Sequence, residues 1–157
     1  KSLDVDLPLL NSILPSNRLQ VERAVENVLR SGYKKVGVLG LSFKSGTDDL
    51  RESPMVALIE TLIGKGLHLL IYDREVELAR LFGANKNYIE REIPHISSLM
   101  RSSLDEVVQG SEVIIVGKKE EEFIRPIEEH ASESLILDLV RLPLDLNRVR
   151  RYQGICW

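Results

Sequence analysis

From Lys34 onward, short apolar runs alternate with amphipathic segments, and this alternation is the feature that most constrains the fold. Short runs rich in Val, Ile and Leu are typical of strands buried on both faces, whereas longer amphipathic segments predict helices. Strands are predicted at 35–41, 67–72, 112–116 and 135–140, with weaker candidates at 97–100 and 155–157. Helices are predicted at 54–63, 74–82, 103–109, 120–130 and 145–151, with a short one at 85–92. Because right-handed crossovers join such strands in parallel, the sequence predicts an α/β fold: a doubly wound, Rossmann-like parallel sheet with helices on both faces.

The first part of the chain has a different pattern. An apolar stretch is interrupted by Pro15, and Ser16 then opens a helix whose apolar stripe ends at Ser31. We therefore divide the chain into an N-terminal helical segment, residues 1–32, and a Rossmann-like domain, residues 33–157.

Composition argues against several classes of protein. The 157 residues, 43% hydrophobic and 29% charged, fit one globular domain. A net charge of -3 argues against nucleic acid or an anionic membrane as the main partner, and no apolar run reaches the ~20 residues that span a bilayer. The three histidines are too far apart in sequence to suggest a metal site.

The single cysteine, Cys156, excludes an internal disulfide, so a reducing cytoplasm is the expected location. Its neighbours Ile155 and Trp157 offer no base that would lower its pKa. We therefore interpret Cys156 as a buried structural thiol rather than a nucleophile.

The segment that follows the first predicted strand, residues 40–54, is the leading candidate for a ligand site. Ligands of doubly wound sheets bind beyond the carboxyl ends of the strands, and a loop this long and polar is unusual between a strand and a helix. Its glycines do not have the spacing of the dinucleotide fingerprint. Lys44 could meet a phosphate and Arg51 a second anionic group, although a solvated loop explains the same charges equally well.

Three other strand ends carry candidate residues. Asp73 lies where dinucleotide folds place a ribose-binding acid, but an N-cap role is the stronger interpretation without the glycines. Lys118 and Arg141 follow later strands and are candidate substrate-binding residues, each with a solvated loop as the simpler alternative.

The loop from Gly40 to Pro54 reads Gly-Leu-Ser-Phe-Lys-Ser-Gly-Thr-Asp-Asp-Leu-Arg-Glu-Ser-Pro and resembles the signature of the C-terminal domain of the UDP-glucose/GDP-mannose dehydrogenase family. Further motifs along nearly the whole chain resemble the GDP-mannose branch of that family. They are Asp73-Arg74, Gly83-Ala84-Asn85-Lys86, Ile93-Pro94-His95, Leu104-Asp105-Glu106-Val107-Val108 and Gly154-Ile155-Cys156-Trp157.

The resemblance implies the substrate-binding domain of an NAD-dependent sugar-nucleotide 6-dehydrogenase that converts GDP-mannose to GDP-mannuronate by two oxidations at C6, in polysaccharide biosynthesis. It also implies a separate N-terminal NAD-binding domain and a central helical region, with residues 1–32 as its tail, that forms a homodimer. By motif, Lys44 would contact the substrate, Phe43 would pack beside the nucleotide, and Arg51 would reach NAD on the other domain.

The chain also departs from the family's pattern. The Gly-Gly-Ser-Cys-Leu-Pro-Lys-like motif with the family's nucleophile is absent, as are the dinucleotide glycines and the catalytic lysine. The chain by itself is therefore predicted to have no dehydrogenase activity. A UDP-glucose-type domain, a free-standing sugar-nucleotide-binding module and a mainly structural dimerisation unit are the alternatives.

Overall fold

The computed structural model describes residues 8–42, 49–50, 53–77 and 94–155. Its helices are α1 (Pro8–Asn11), α2 (Ile13–Ser31), α3 (Pro54–Gly64), α4 (Pro94–Ser97), α5 (Leu104–Gln109) and α6 (Ile124–His130), with a 3₁₀ turn at Glu121–Phe123. Its strands are β1 (Lys35–Leu39), β2 (His68–Tyr72), β3 (Val113–Val116), β4 (Leu135–Asp138) and β5 (Arg151–Gly154). Residues 74–77 form a further helical turn.

The five strands form one sheet in the order β2-β1-β3-β4-β5, with every pairing parallel. Because β1 pairs with β2 on one side and β3 on the other, the chain changes direction across the sheet at β1. The predicted doubly wound, Rossmann-like fold is confirmed, and its switch point lies between the carboxyl ends of β1 and β3.

Apolar side chains of each central strand alternate between two cores, one on either face of the sheet. In β3, Val113 and Ile115 belong to the core beneath α2 and α3, whereas Ile114 and Val116 belong to the core beneath α5 and α6. A strand covered on both faces has no solvent side, which explains why its sequence is continuously apolar.

Helix α2 begins earlier than the sequence suggested. It starts at Ile13 and runs through Pro15, because a proline in the first turn lacks only an N–H that has no helical partner there. The C-terminal half packs Ala24, Val25 and Val28 into the core. Within the described residues, no helix is both long and apolar enough to cross a membrane.

Three shorter elements differ from their sequence prediction. The prediction of a helix at 145–151 is wrong. The side chain of Asp145 accepts the backbone N–H of Asn147, and this hydrogen bond stabilises a local turn in place of the helix. The strand β5 pairs with β4 from Arg151 onward, whereas residues 156–157 of the strand predicted at 155–157 lie outside the described residues. The strand predicted at 97–100 is reduced to a single bridge between Met100 and Ile71. The helix predicted at 85–92 lies outside the described residues.

Candidate functional site

The carboxyl ends of β1, β2 and β3 meet at the switch point, and each is followed by residues that contact the others. The segment after β1, residues 40–42, is called the β1 exit below. Gly40 has a φ of 91°, and its N–H donates to the carbonyl of Tyr72 at the end of β2. On the other side, the N–H of Gly117 donates to the carbonyl of Leu39. The end of β1 and the first residue of the β1 exit are therefore held against both neighbouring strands.

Asp73, the first residue after β2, binds the backbone of the β1 exit. Its Oδ2 accepts the N–H of Leu41 at 2.8 Å and the N–H of Ser42 at 3.0 Å, together with the Ser42 hydroxyl at 3.2 Å. Its Oδ1 accepts the N–H of Val76 at 3.2 Å, so Asp73 also caps the helical turn at 74–77. The N-cap interpretation is confirmed, and the carboxylate additionally fixes two consecutive amides of another segment.

Lys118, which follows β3, is buried beside Asp73. Its side chain is 2% exposed, and its Nζ lies 2.6 Å from Glu75 Oε2 and 3.4 Å from Asp73 Oδ1. Glu120 Oε1 is 3.5 Å away, an ion pair without a hydrogen bond. We call Asp73, Glu75, Lys118 and Glu120 the Asp73 cluster. The three carboxylates offset part of the cost of removing the ammonium from water.

The electrostatics of the cluster favour the charged forms of Asp73 and Lys118. Burial opposes ionisation of Asp73, but the N–H groups of Ser42 and Leu41 and the charge of Lys118 hold its pKa below the ordinary value. Burial also disfavours the ammonium, yet its hydrogen bond to Glu75 and the charges of Asp73, Glu75 and Glu120 raise the pKa of Lys118. Both groups are therefore ionised at neutral pH.

The hydrocarbon stem of Lys118 lies directly on Gly40. A Cβ added to Gly40 would stand 2.2 Å from the Lys118 Cβ and 2.9 Å from its backbone nitrogen. Only a residue without a side chain fits there, so the glycine allows β1 and β3 to approach closely at their carboxyl ends.

Ser53 joins the far end of the 40–54 loop back to its beginning. Its hydroxyl donates to the carbonyl of Leu41 at 2.9 Å and accepts the N–H of Met55, which caps α3. The predicted Ser53-Pro54 helix start is confirmed. Leu41 is consequently held through its N–H by Asp73 and through its carbonyl by Ser53.

A second buried aspartate organises the segment after β4. Asp138 accepts the N–H groups of Val140 and Leu142 at 2.9 and 2.8 Å, and the hydroxyl of Tyr152 at 2.8 Å. The bend between these amides places Arg141 at a φ of 56°, with an exposed side chain. Arg141 therefore stands at the same edge of the sheet as the β1 exit, open to solvent.

These contacts exclude one kind of cofactor site within the described residues. A dinucleotide site needs free N–H groups after β1 and a free acid after β2. Here the N–H groups of Leu41 and Ser42 bind Asp73, and both oxygens of Asp73 are engaged. The described residues thus do not fit NAD bound in that manner. They also contain no group of three or more His, Cys, Asp or Glu side chains that could hold a metal ion.

Residues 37–142 match the family described as "UDP-glucose/GDP-mannose dehydrogenase family, UDP binding domain". The chain belongs to this family. It is 50% identical over 157 residues to GDP-mannose 6-dehydrogenase of Pseudomonas syringae pv. tomato, covering 99% of the chain and 36% of that relative. Identity to UDP-glucose 6-dehydrogenase of Rickettsia typhi is 28% over 145 residues, covering 89% of the chain and 30% of that relative.

A solved structure of the same family has the same fold. The structure described as a ternary complex of GDP-mannose dehydrogenase from Pseudomonas aeruginosa superposes with a TM-score of 0.89 at 50% identity, covering 99% of the chain and 35% of the solved one. The chain thus spans about a third of the length of the relatives it matches.

The predicted site residues fall into two groups. Phe43, Lys44 and Arg51 lie outside the described residues, as does Cys156. Lys118 and Arg141 lie at the carboxyl edge of the sheet, the first buried in the Asp73 cluster and the second exposed. Direct contact of either residue with a ligand stays a prediction.

Sequence reasoning missed the partners of Lys118 and the bonds between Asp73 and the β1 exit. Glu75 is 43 residues from Lys118 in sequence, and Leu41 is 32 residues from Asp73. The usable signal was the position of two acids, Asp73 and Glu75, at the carboxyl end of β2, which β1 alone separates from β3 and Lys118. In a parallel sheet, side chains at neighbouring carboxyl ends share one edge.

Proposed function

We propose that this chain binds GDP-mannose, as the substrate-binding domain of an NAD-dependent sugar-nucleotide 6-dehydrogenase that produces GDP-mannuronate. The observation that carries the proposal is the identity of 50% to a GDP-mannose 6-dehydrogenase across 99% of the chain, against 28% to a UDP-glucose 6-dehydrogenase. The difference supports guanine over uracil and mannose over glucose.

The 40–54 loop is the proposed binding element. It leaves the sheet at the switch point, where ligands of doubly wound folds bind. Asp73 binds the N–H of Leu41 at the start of the loop, and Ser53 near its end binds the carbonyl of Leu41. Lys44 would meet the phosphates or the sugar, and Phe43 would pack beside the nucleotide. A lysine ~4 Å from one phosphate charge gains roughly 4 kcal/mol at an effective dielectric near 20, before the desolvation costs of both groups. Arg141 is a further candidate contact at this edge, whereas the ammonium of Lys118 is engaged by the carboxylates of the Asp73 cluster.

NAD enters the proposal through a different domain. Arg51 would reach NAD bound there, and the chain would supply no step of the oxidation by itself. The same family resemblance suggests a homodimer, with residues 1–32 at the end of its helical region. Four exposed apolar residues on α1 and the start of α2 support burial of this surface in a larger assembly: Leu9, Leu10, Ile13 and Leu14.

Isothermal titration of the chain with GDP-mannose, UDP-glucose and NAD tests the proposal. We expect weak binding of GDP-mannose, weaker binding of UDP-glucose, and no NADH formation from either sugar nucleotide when NAD is present. Equal affinity for both sugar nucleotides would contradict the base assignment, and no binding of either would refute the function.

Substitution of Lys44 tests the proposed site within the same titration. Lys44→Ala should weaken GDP-mannose binding by about 1.5–3 kcal/mol, the contribution of a hydrogen bond to a charged group. Lys34→Ala is the matched control, because Lys34 is an exposed lysine at the other end of β1. If both variants bind like the unmodified chain, Lys44 is a solvated loop residue.

In the longer protein, Arg51→Ala should chiefly raise the Michaelis constant for NAD. Steady-state kinetics with each substrate varied separately would separate this effect from that of Lys44→Ala, which should act on the sugar nucleotide.

A further inference from the structure

We infer that Asp73 and Lys118 are positioning residues: they hold the β1 exit, the described start of the 40–54 loop, in the backbone conformation that sugar-nucleotide binding requires. The inference rests on the proposed function, because it takes that loop as the binding element. It assigns to Asp73 an indirect role in ligand affinity, with no contact between the carboxylate and the ligand.

The backbone N–H groups of the β1 exit donate their hydrogen bonds to a side chain of the protein. Consecutive N–H groups after a strand form a concave donor surface that often binds an anion. In this chain the anion is Asp73, whose Oδ2 accepts the N–H groups of Leu41 and Ser42. The β1 exit therefore has its backbone conformation set by a side chain from the next strand rather than by a ligand.

Ser53 joins the end of the 40–54 loop to its beginning. The carbonyl of Leu41 accepts the hydroxyl of Ser53, the residue that caps α3. Asp73 and Ser53 thus bind opposite sides of Leu41, and the bond from Ser53 joins the two ends of the 40–54 loop. A shift of Leu41 would move the start of the loop relative to α3, and small displacements of binding groups reduce affinity strongly.

Lys118 contacts both Asp73 and the β1 exit. Asp73 is fully buried, and Lys118 is the cation that lies within 4 Å of it among the described residues. Glu75 and Glu120 hold the ammonium in place, while the stem of Lys118 packs on Gly40. Lys118 therefore stabilises the charged form of Asp73 and also packs against Gly40 of the β1 exit.

Glu112 provides a matched control at the opposite end of β1. Its Oε2 accepts the N–H groups of Lys34 and Lys35, each at 3.0 Å, so it binds two consecutive amides at the start of β1, as Asp73 does just beyond the end of β1. It lies at the amino edge of the sheet, far from the proposed ligand. Loss of this carboxylate should alter local backbone protection without altering ligand affinity.

The experiment combines amide hydrogen exchange with GDP titration on four variants of the chain: Asp73→Asn, Lys118→Met, Lys118→Arg and Glu112→Gln. We expect Asp73→Asn and Lys118→Met to accelerate exchange at Leu41 and Ser42 by about tenfold or more and to weaken GDP binding by a similar factor. Lys118→Arg keeps the charge and should restore most of both properties. Glu112→Gln should accelerate exchange at Lys34 and Lys35 while changing GDP affinity by less than about twofold.

The outcomes separate the inference from the proposed function. If the unmodified chain does not bind GDP, the proposed function fails, whatever the exchange rates. If it binds GDP and Asp73→Asn accelerates exchange at Leu41 and Ser42 without weakening binding, the positioning role is refuted. Unchanged exchange at these amides also refutes it. Amides of β3 report global unfolding, and if Asp73→Asn unfolds the chain, the Lys118→Met and Lys118→Arg pair decides.

Discussion

The two ends of β1 are held by the same chemical device in different environments. At the amino end, Glu112 accepts two consecutive backbone N–H groups and is exposed to solvent. At the carboxyl end, Asp73 accepts two consecutive backbone N–H groups and is 1% exposed, with Lys118 beside it.

The difference between the two ends shows that a buried carboxylate needs a neighbouring cation, whereas an exposed carboxylate does not. Water solvates the charge of Glu112, so that residue needs no buried cation. Asp73 has lost its water, and an unpaired charge in that position would be costly, so a buried cluster has formed around it. The carboxyl end of β1 is consequently the more rigidly specified end, and the proposed ligand-binding loop starts there.

The largest expected difference between the two ends concerns glycine. Gly40→Ala would force a Cβ to within 2.2 Å of Lys118 at a φ of 91°, and should cost about 3 kcal/mol of unfolding free energy. Gly32→Ala is the control near the amino end, where φ is 75° but no atom lies within 4 Å of the added Cβ, so only about 1 kcal/mol of strain is expected. Urea denaturation of both variants would measure this, and equal losses would show that close packing on Lys118 has no special weight.

The next largest effect concerns the hydroxyl of Ser53. Ser53→Ala removes a helix cap and leaves the buried carbonyl of Leu41 without its hydroxyl donor, which should cost about 2 kcal/mol. Ser103→Ala removes only the cap of α5, through the N–H of Glu106 at an exposed site, and should cost about 1 kcal/mol. Thermal unfolding of the two variants tests the comparison. A loss at Ser53 no larger than that at Ser103 would contradict its role in closing the loop.

The smallest expected effect is the pH dependence of stability. The pKa of Asp73 is lowered in the folded chain, so its contribution is complete above the unfolded value near ~4 and is lost as the pH falls through the folded value. Hydrogen bonds from the N–H groups of Lys35 and Lys34 also lower the pKa of Glu112. Asp73→Asn should therefore flatten the decline in stability below pH ~4, and Glu112→Gln should flatten it less because solvent already stabilises that charge. Denaturant titrations at several acidic pH values would reveal a curve for Asp73→Asn parallel to that of the unmodified chain if this is wrong.

Much of the fold could be predicted because its signals are local in sequence. Continuous apolar runs identified β1 to β4, and Ser53-Pro54 identified the start of α3. The errors fell on short or irregular elements, such as 145–151, where an aspartate side chain competes for the backbone and no long apolar period exists to decide between turn and helix.

The candidate site divides in the same way. The residues of the loop motif identify the family by themselves. The predicted parallel sheet leads to the expectation that ligands bind at its carboxyl edge. The assignment of Lys118 to a buried cluster could not be made from its neighbours in sequence, because a lysine in a Gly-Lys-Lys sequence has the pattern of a solvated loop.

The sequence by itself determined the class of fold and the family, and it predicted the segment in which a ligand site should lie, because periodicity and motifs act over a few residues. Only the tertiary structure decided that Asp73 binds Leu41 and Ser42, that Lys118 joins Asp73 and Glu75, and that Ser53 closes on Leu41. The physical reason is that these bonds connect residues brought together by the strand order β2-β1-β3, and hydrogen bonds and ion pairs depend on distances in space that a linear pattern does not contain.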